Sequence, residues 1–391
     1  MAVLNRLAEM HEEITAWRRD IHEHPELLFD CERTAGVVEA KLKEFGVDEI
    51  KTGLGRTGLV GVIKGKSTAS GKVIGLRADM DALPIFETSG VEHSSKTEGK
   101  MHACGHDGHT AMLLGAAKYL AETRNFDGTV VVIFQPAEEG GGGGKEMVDD
   151  GMMDIFGIQE VYGLHNMPSL PVGHFAIRPG ALMAATDQYD IHVEGVGGHA
   201  AMPNKAIDTT LIASHIVVAL QSIVSRNIDP LDNVVVTVTS FETESKAYNV
   251  IPQRVHIKGT CRTLSAEARD QSEEAIKRVA AHTATAFGAT AKVDYERGYP
   301  VTVNHPEQTV FAANVAREVA GNDAVTDDVD PLMGGEDFSY MLEARPGAFI
   351  FAGNGDTAMV HHPDYDFNDD LIPAGCSYWV KLAEMRMPIS N

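Results

Sequence analysis

The stretch His102-Ala103-Cys104-Gly105-His106-Asp107-Gly108-His109 puts three imidazoles, a thiol and a carboxylate into eight residues. Cys thiolate and neutral His at close spacing are ligands that a borderline divalent metal accepts. A polar loop with a buried cysteine and a helix cap is the other account these residues allow. The apolar run Met112-Leu113-Leu114-Gly115-Ala116-Ala117 follows and reads as a buried helix, so the candidate ligands stand just before a rigid element. More titratable clusters sit where strands are expected to end. Asp79 and Asp81 follow an apolar run over 73–76; they could bind a metal, orient a histidine ligand or cap a turn. Glu138 and Glu139 follow the run 128–134, which reads as a central strand buried on both faces. Two adjacent carboxylates there are costly unless cations compensate them. His165 follows a strand over 160–163, and His361-His362-Pro363 follows a last strand over 348–353.

In a parallel sheet such positions converge on one edge. More than four Cys, His and carboxylate ligands suggest two metals. A pair about 3.5–4 Å apart would hold a bridging water and polarise a carbonyl, with a spare carboxylate acting as base. Two other motifs fail. The five glycines before Lys145 resemble a phosphate loop, but the Gly-x4-Gly-Lys-Ser/Thr spacing would need glycine at Glu139 and Ser/Thr at Glu146. No Gly-x-Gly-x-x-Gly opens a helix after the first strand, which argues against a dinucleotide site.

The elements that must position these groups alternate. A helical period runs over 3–22 and stops at Pro25. The titratable stretch from Arg18 to Leu27 reads as a solvated helix end. Strands over 58–63, 73–76, 128–134, 160–163 and 175–178 then alternate with helices, which predicts an α/β fold with a mostly parallel sheet. The pattern changes near Ala184. A half-exposed strand over 189–193, a helix over 206–226, strands over 234–241 and 254–262, a helix capped by Ser265 and a strand over 292–295 make a β-α-β-β-α-β unit, ferredoxin-like in type. It is inserted in the larger domain, which resumes with helices over 308–320 and 371–385. The expected domains are 1–185 with 297–391 for the metal-binding part and 186–296 for the insert.

Composition sets outer bounds. The 391 residues are enough for two domains, and 43% hydrophobic with 23% charged residues is ordinary for a globular protein. A net charge of −23 argues against nucleic acid and anionic membrane surfaces as partners. No run of about 18 apolar residues is seen, so no membrane span is expected, and the N-terminus lacks a signal peptide's apolar core. Cys31, Cys104, Cys261 and Cys376 are scattered, which suits reduced thiols in a cytoplasm.

The segments 101–109, 135–140, 163–166, Gly334-Gly335-Glu336-Asp337-Phe338 and 361–368 together resemble the aminoacylase–carboxypeptidase family of di-metal hydrolases. The nearest branch is that of hippurate hydrolases, N-acyl-amino-acid amidohydrolases and plant auxin-conjugate hydrolases. The resemblance spans nearly the whole chain. It implies that Cys104, His106, Glu139, His165 and His361 hold two divalent ions (Mn, Zn, Co or Ni), and that Glu138 is the general base. It implies that Asp81, and less directly Asp79, fix the ligands' geometry, with His109 and Asp107 also behind them. In the insert, acting as a lid and dimerisation domain, it implies that His199 stabilises the oxyanion, in some relatives from a neighbouring subunit. Asn249 and Arg262 would hold a substrate carboxylate. The expected activity is hydrolysis of the amide of small N-acyl-L-amino acids by a homodimer or higher homo-oligomer. A dipeptidase or a dedicated N-acetyl-amino-acid deacetylase is the alternative on the same scaffold, and a non-catalytic metal or amino-acid binding protein a more distant one.

Overall fold

A computed structural model describes residues 4–389. In chain order the elements used below are α1 (His11–Glu23), α2 (Glu32–Phe45), β1 (Glu49–Leu54), β2 (Gly58–Lys64), β3 (Val73–Asp79), α3 (His106–Thr123), β4 (Thr129–Gln135), β5 (Glu160–Pro168), β6 (Phe175–Ala176), β7 (Ala185–Glu194), α4 (Thr209–Ser222), β8 (Val234–Thr243), β9 (Arg254–Thr263), α5 (Ala266–Ala286), β10 (Thr290–Arg297), α6 (Pro306–Ala320), β11 (Val325–Thr326), β12 (Gly347–Gly355) and α7 (Ile372–Arg386). The chain divides into two compact units. One runs to Leu182 and takes in Val303–Asp330 and Asp337 onward; the other is Met183–Thr302 with Pro331–Glu336. The segment 331–336, expected in the larger domain, packs with the smaller unit.

The larger unit is built on an eight-stranded sheet in the order β1-β2-β4-β3-β5-β12-β6-β11. Its centre is parallel: β4 with β3, β3 with β5, and β5 with β12. The flanking pairs are antiparallel: β1 with β2, which a short connection joins, and β2 with β4 and β6 with β12, which pair across long stretches of chain. Val130 to Gln135 of β4 are fully buried, as a β-branched strand covered on both faces must be. Helix α3 is buried continuously from His106 to Ala117 and packs with α1, α2 and α7; a helix apolar on every side has to be interior.

Near the N-terminus the expected single helix is two, Asn5–Glu9 and His11–Glu23, broken at Met10. Residue 3 of that expectation lies outside the described residues. The strand foreseen over 175–178 forms only at Phe175–Ala176.

In the smaller unit the sheet order is β8-β9-β7-β10, antiparallel throughout. Tyr189, Ile191 and Val193 of β7 alternate inward and meet Ile212, Ile216 and Leu220 of α4 and Ile276 and Ala280 of α5 in one core. The helical stretch Thr209–Asn227 has 19 residues and a mean hydropathy of 1.2. By length and composition it is apolar enough to cross a membrane, contrary to the expectation from the sequence. Of its apolar 18-residue window, 33% is buried: Ile212, Ala213, Ile216 and Leu220 enter this unit's core, while Leu211 and Val218 are exposed.

Close packing of the central strands gives a first prediction. A Cβ added at Gly163 of β5 would fall 2.4 Å from the ring of buried Phe349 on the adjacent β12. Gly163→Ala should cost about 1–3 kcal/mol by overpacking, read as a lower urea midpoint at constant slope. An unchanged midpoint would contradict this packing.

Candidate metal centre

The parallel register brings the polar strand ends together. Asp79 closes β3 directly beside Gln135, the last residue of β4, and β5 on the other side of β3 carries His165. Past its strand, Asp81 turns into a clamp. Its two carboxylate oxygens accept the backbone N–H of Glu138 and of Glu139, each at 3.0 Å, and its carbonyl oxygen lies 2.9 Å from His106 Nδ1. One residue thus fixes both glutamates and the orientation of an imidazole. Asp79 Oδ1 lies 2.6 Å from His109 Nδ1, and the Asn166 backbone N–H donates to His109 Nε2 at 2.9 Å.

Gly105 opens α3 with φ +93°, and a Cβ there would sit 2.1 Å from Asn166 Oδ1, so only glycine fits between Cys104 and His106. Two non-glycine residues also take left-handed backbone beside candidate ligands: Ala137 (φ +56°) and His361 (φ +67°). Such strain clusters at functional sites. His361 is exposed, and its N–H donates to Ala103 O at 2.6 Å, which ties its loop to the one carrying Cys104.

All the ligands expected from the sequence meet here. Cys104 Sγ lies 3.3 Å from His165 Nε2, and His361 Nε2 lies 3.4 Å from Glu139 Oε1. Cys104 with His106 and His165, Cys104 with Glu139 and His361, and His106 with Glu138 and Glu139 each bring donor atoms within 4.8 Å of one another. Asp79 with His106 and His109 does the same. Cys104, His106 and Glu139 recur across these sets, so the donors form one overlapping cluster.

Electrostatics tests whether metal fits. Burial, then Glu139, Glu138 and Asp79, pushes the Cys104 thiol well up. Burial opposes a charge on His106, but Asp79, Asp81 and Glu139 outweigh it and push its pKa up to about 10. Burial, then His109, pushes His165 well down. Negative charge is therefore in excess on the donor side, where it is met by borrowed protons, while Arg77 pairs with Asp79 from behind. Among the described residues, His106 Nε2 and Glu139 Oε1, both buried, have no hydrogen-bond partner, though a buried polar atom without one is costly. Mixed S, N and O donors with unpartnered polar atoms are what a divalent ion satisfies when it displaces such protons. The residues fit a metal centre.

Behind the cluster lies a network that the sequence did not disclose. Arg18 and His22 are fully buried rather than solvated. His22 Nδ1 lies 2.8 Å from Asp107 Oδ2, its Nε2 lies 3.2 Å from Glu87, and Arg18 donates to Asp369 at 2.8 Å. Asp107 is engaged by these cations, and not by the metal donors. The periodicity of α1 contained the clue, since Ile14, Arg18 and Ile21 share one helical face. A second missed group is Arg77, which pairs with Asp79 at 2.7 Å and with Asp337 at 3.0 Å; Asp337 also accepts from Gln135 and from the Gly144 N–H.

The smaller unit carries the other expected residues. Gly198–His199 pairs antiparallel with Val250–Ile251, and the Ala200 N–H donates to Asn249 O at 3.0 Å, so His199 and Asn249 are neighbours. Arg262 on β9 is half-buried, with Nη1 donating to Thr260 Oγ1 and to the Cys261 carbonyl at 3.2 Å.

A buried cluster of Cys, His and carboxylate donors at the carboxyl edge of a parallel sheet defines the class: an α/β protein built around a metal centre. Residues 75–385 match Peptidase family M20/M25/M40, and the chain belongs to that family. It is 44% identical to hippurate hydrolase of Campylobacter jejuni, covering 98% of this chain and 99% of that one. It is 38% identical to N-acetylcysteine deacetylase of Bacillus subtilis, covering 95% and 96%. Among solved structures it resembles the YXEP protein of Bacillus subtilis, a dinuclear metal-binding peptidase of the M20 family (TM-score 0.85, 33% identity, 97% and 99% covered).

The buried network makes a pH prediction. Burial opposes a charge on His22, but Asp107 and Glu87 outweigh it and push its pKa up to about 9. Its contribution to stability is then full below the unfolded value of about 6.5 and is lost as pH rises through 9. Denaturation midpoints should fall across that window, and His22→Gln should flatten the fall. An equal slope in the variant would contradict the assignment.

Proposed function

We propose that the protein is a metal-dependent amidohydrolase that cleaves the amide of N-acyl-L-amino acids, releasing a carboxylic acid and a free amino acid. The observation that carries this is Glu138, buried beside the overlapping donor cluster and held by its backbone to Asp81. Family membership and the similarity to a hippurate hydrolase support the reaction class.

Cys104, His106, Glu139, His165 and His361 would hold two divalent ions, drawn from Mn, Zn, Co or Ni. Such ions polarise an acyl carbonyl and lower the pKa of water towards about 7. Glu138 takes the proton from the attacking water and delivers it to the leaving amine nitrogen. Asp81 holds Glu138, Glu139 and His106 in register, and Asp79 orients His109. Glu139 Oε1, and His106 Nε2 once its proton leaves, are atoms without a hydrogen-bond partner among the described residues that such a cation would satisfy.

The smaller unit, ferredoxin-like in its strand order, serves in this reading as lid and dimerisation domain. His199 stabilises the oxyanion there. Asn249 and Arg262 grip the substrate carboxylate, for which a guanidinium is suited by its paired donors. The enzyme works as a homodimer or higher homo-oligomer in the cytoplasm, where its four free cysteines stay reduced.

Glu138→Gln is the direct test. It keeps the side chain's shape and removes the base, so turnover of hippurate and N-acetyl amino acids should fall by about 10²–10⁴. Metal content and melting temperature should not change. Normal turnover in this variant would overturn the role of Glu138.

A further inference from the structure

A second group of metal-binding residue types lies on the smaller unit, on residues that the amidase reading does not use. Strand β7 alternates: Tyr189, Ile191 and Val193 enter the core, while Asp190, His192 and Glu194 face outward. His192 stands directly opposite His256 of β9 on one side and Lys292 of β10 on the other. The two imidazole rings stack with centroids 4.4 Å apart and planes 16° from parallel. His256 Nε2 lies 2.5 Å from Asp190 Oδ1, and His192 Nε2 lies 3.5 Å from Asp294 Oδ2.

We propose that Asp190, His192 and His256 form a site for one divalent transition-metal ion such as Zn²⁺, Ni²⁺ or Cu²⁺. The three residues each offer a donor atom, all within 4.8 Å of one another. A tetrahedral zinc with ligands at about 2.0–2.2 Å needs its donors roughly 3.4 Å apart. Small χ rotations of partly exposed side chains cover that difference. Two imidazoles and one carboxylate, with a position left for water, is a familiar zinc arrangement.

Surrounding charges favour a cation. Glu242 stands opposite His256 in the β8–β9 register, and Asp294 stands opposite Asp190. Two nearby cations are already engaged, Lys292 Nζ lying 2.5 Å from Asp294 and Arg254 pairing with Glu194 at 3.1 Å, while Lys258 stands opposite Asp190 in register. A cavity of about 560 Å³ lined by His192, His256, Glu242, Arg254 and Lys292 opens onto the pair, which leaves room for an ion and its water. Backbone ladders on both sides of β7 fix the strands, so the site is preorganised by the sheet.

Equilibrium dialysis of the full-length protein against micromolar Zn²⁺, with ions counted per chain, tests the proposal. The wild type should hold one ion more per chain than His192→Ala/His256→Ala, and hydrolysis rates should be alike in the two. Asp190→Asn, which preserves shape, should need roughly ten-fold more free Zn²⁺ to fill that extra site. Equal ion counts in wild type and double variant would overturn the site. Should the double variant not fold, His256→Gln is counted in the same way, and an undiminished count in it would overturn the site equally. Because the comparison is a difference in ions bound, its failure leaves the amidase reading untouched.

Discussion

The larger unit depends on one electrostatic constraint: several carboxylates and a thiol are buried together at one edge of a parallel sheet. Asp79, Asp81, Glu138 and Glu139 crowd around Cys104, His106, His109 and His165. Burying charge of one sign is among the costliest things a fold can do. The chain answers in two ways. Arg77 lies behind the sheet edge between Asp79 and Asp337, and supplies fixed positive charge. At the front, protons on His106 and Cys104 stand in where cations would sit. The first answer is structural. The second leaves polar atoms without partners among the described residues, and so favours an ion that replaces those protons.

Rigidity then follows from how few elements carry the cluster. The strands β4, β3 and β5 are parallel neighbours, so their carboxyl ends are held in fixed register. Asp81 extends that order by one further step, accepting the two backbone N–H groups that set Glu138 and Glu139. Helix α3 starts at His106 and is buried along its first three turns, so the cysteine–histidine stretch cannot shift without moving the core. Beneath it, Arg18 and His22 compensate Asp107 and lock the start of α3 to α1. Preorganised donors of this sort lose little in reorganisation when a charge arrives.

How much of this was legible in the sequence depended on whether the signal was local. The cysteine–histidine stretch, the paired glutamates and the strand-end aspartates were visible because residue type and spacing alone announce them. The parallel centre was visible because the apolar runs of β3, β4 and β5 alternate with helical stretches. The antiparallel flanks were not: β1 does not stand out as a strand, and the direction in which β2 and β6 join is set by pairing with segments distant in the chain. Arg18 and His22 looked like the polar end of a surface helix. Their burial is set by Asp107, some 85 positions on from His22, and no local pattern encodes that pairing. Asp337 was quoted within a motif, but its role as acceptor for Arg77 and Gln135 appears only when distant segments meet. The Asp190–His192–His256 group was hidden in the same way: each residue looked like an ordinary outward strand position until the register placed the two histidines face to face.

Catalysis at this sheet edge depends on whether the buried donor cluster works through metal. The most direct measurement is amine release from a panel of N-acyl amino acids, with enzyme first stripped by a chelator and then refilled with Mn²⁺, Zn²⁺, Co²⁺ or Ni²⁺. Loss of release on stripping, and its return with one or more of these ions on at least one substrate, is the predicted result. Release that persists undiminished in the stripped enzyme, or that no ion restores although ions rebind, would contradict it.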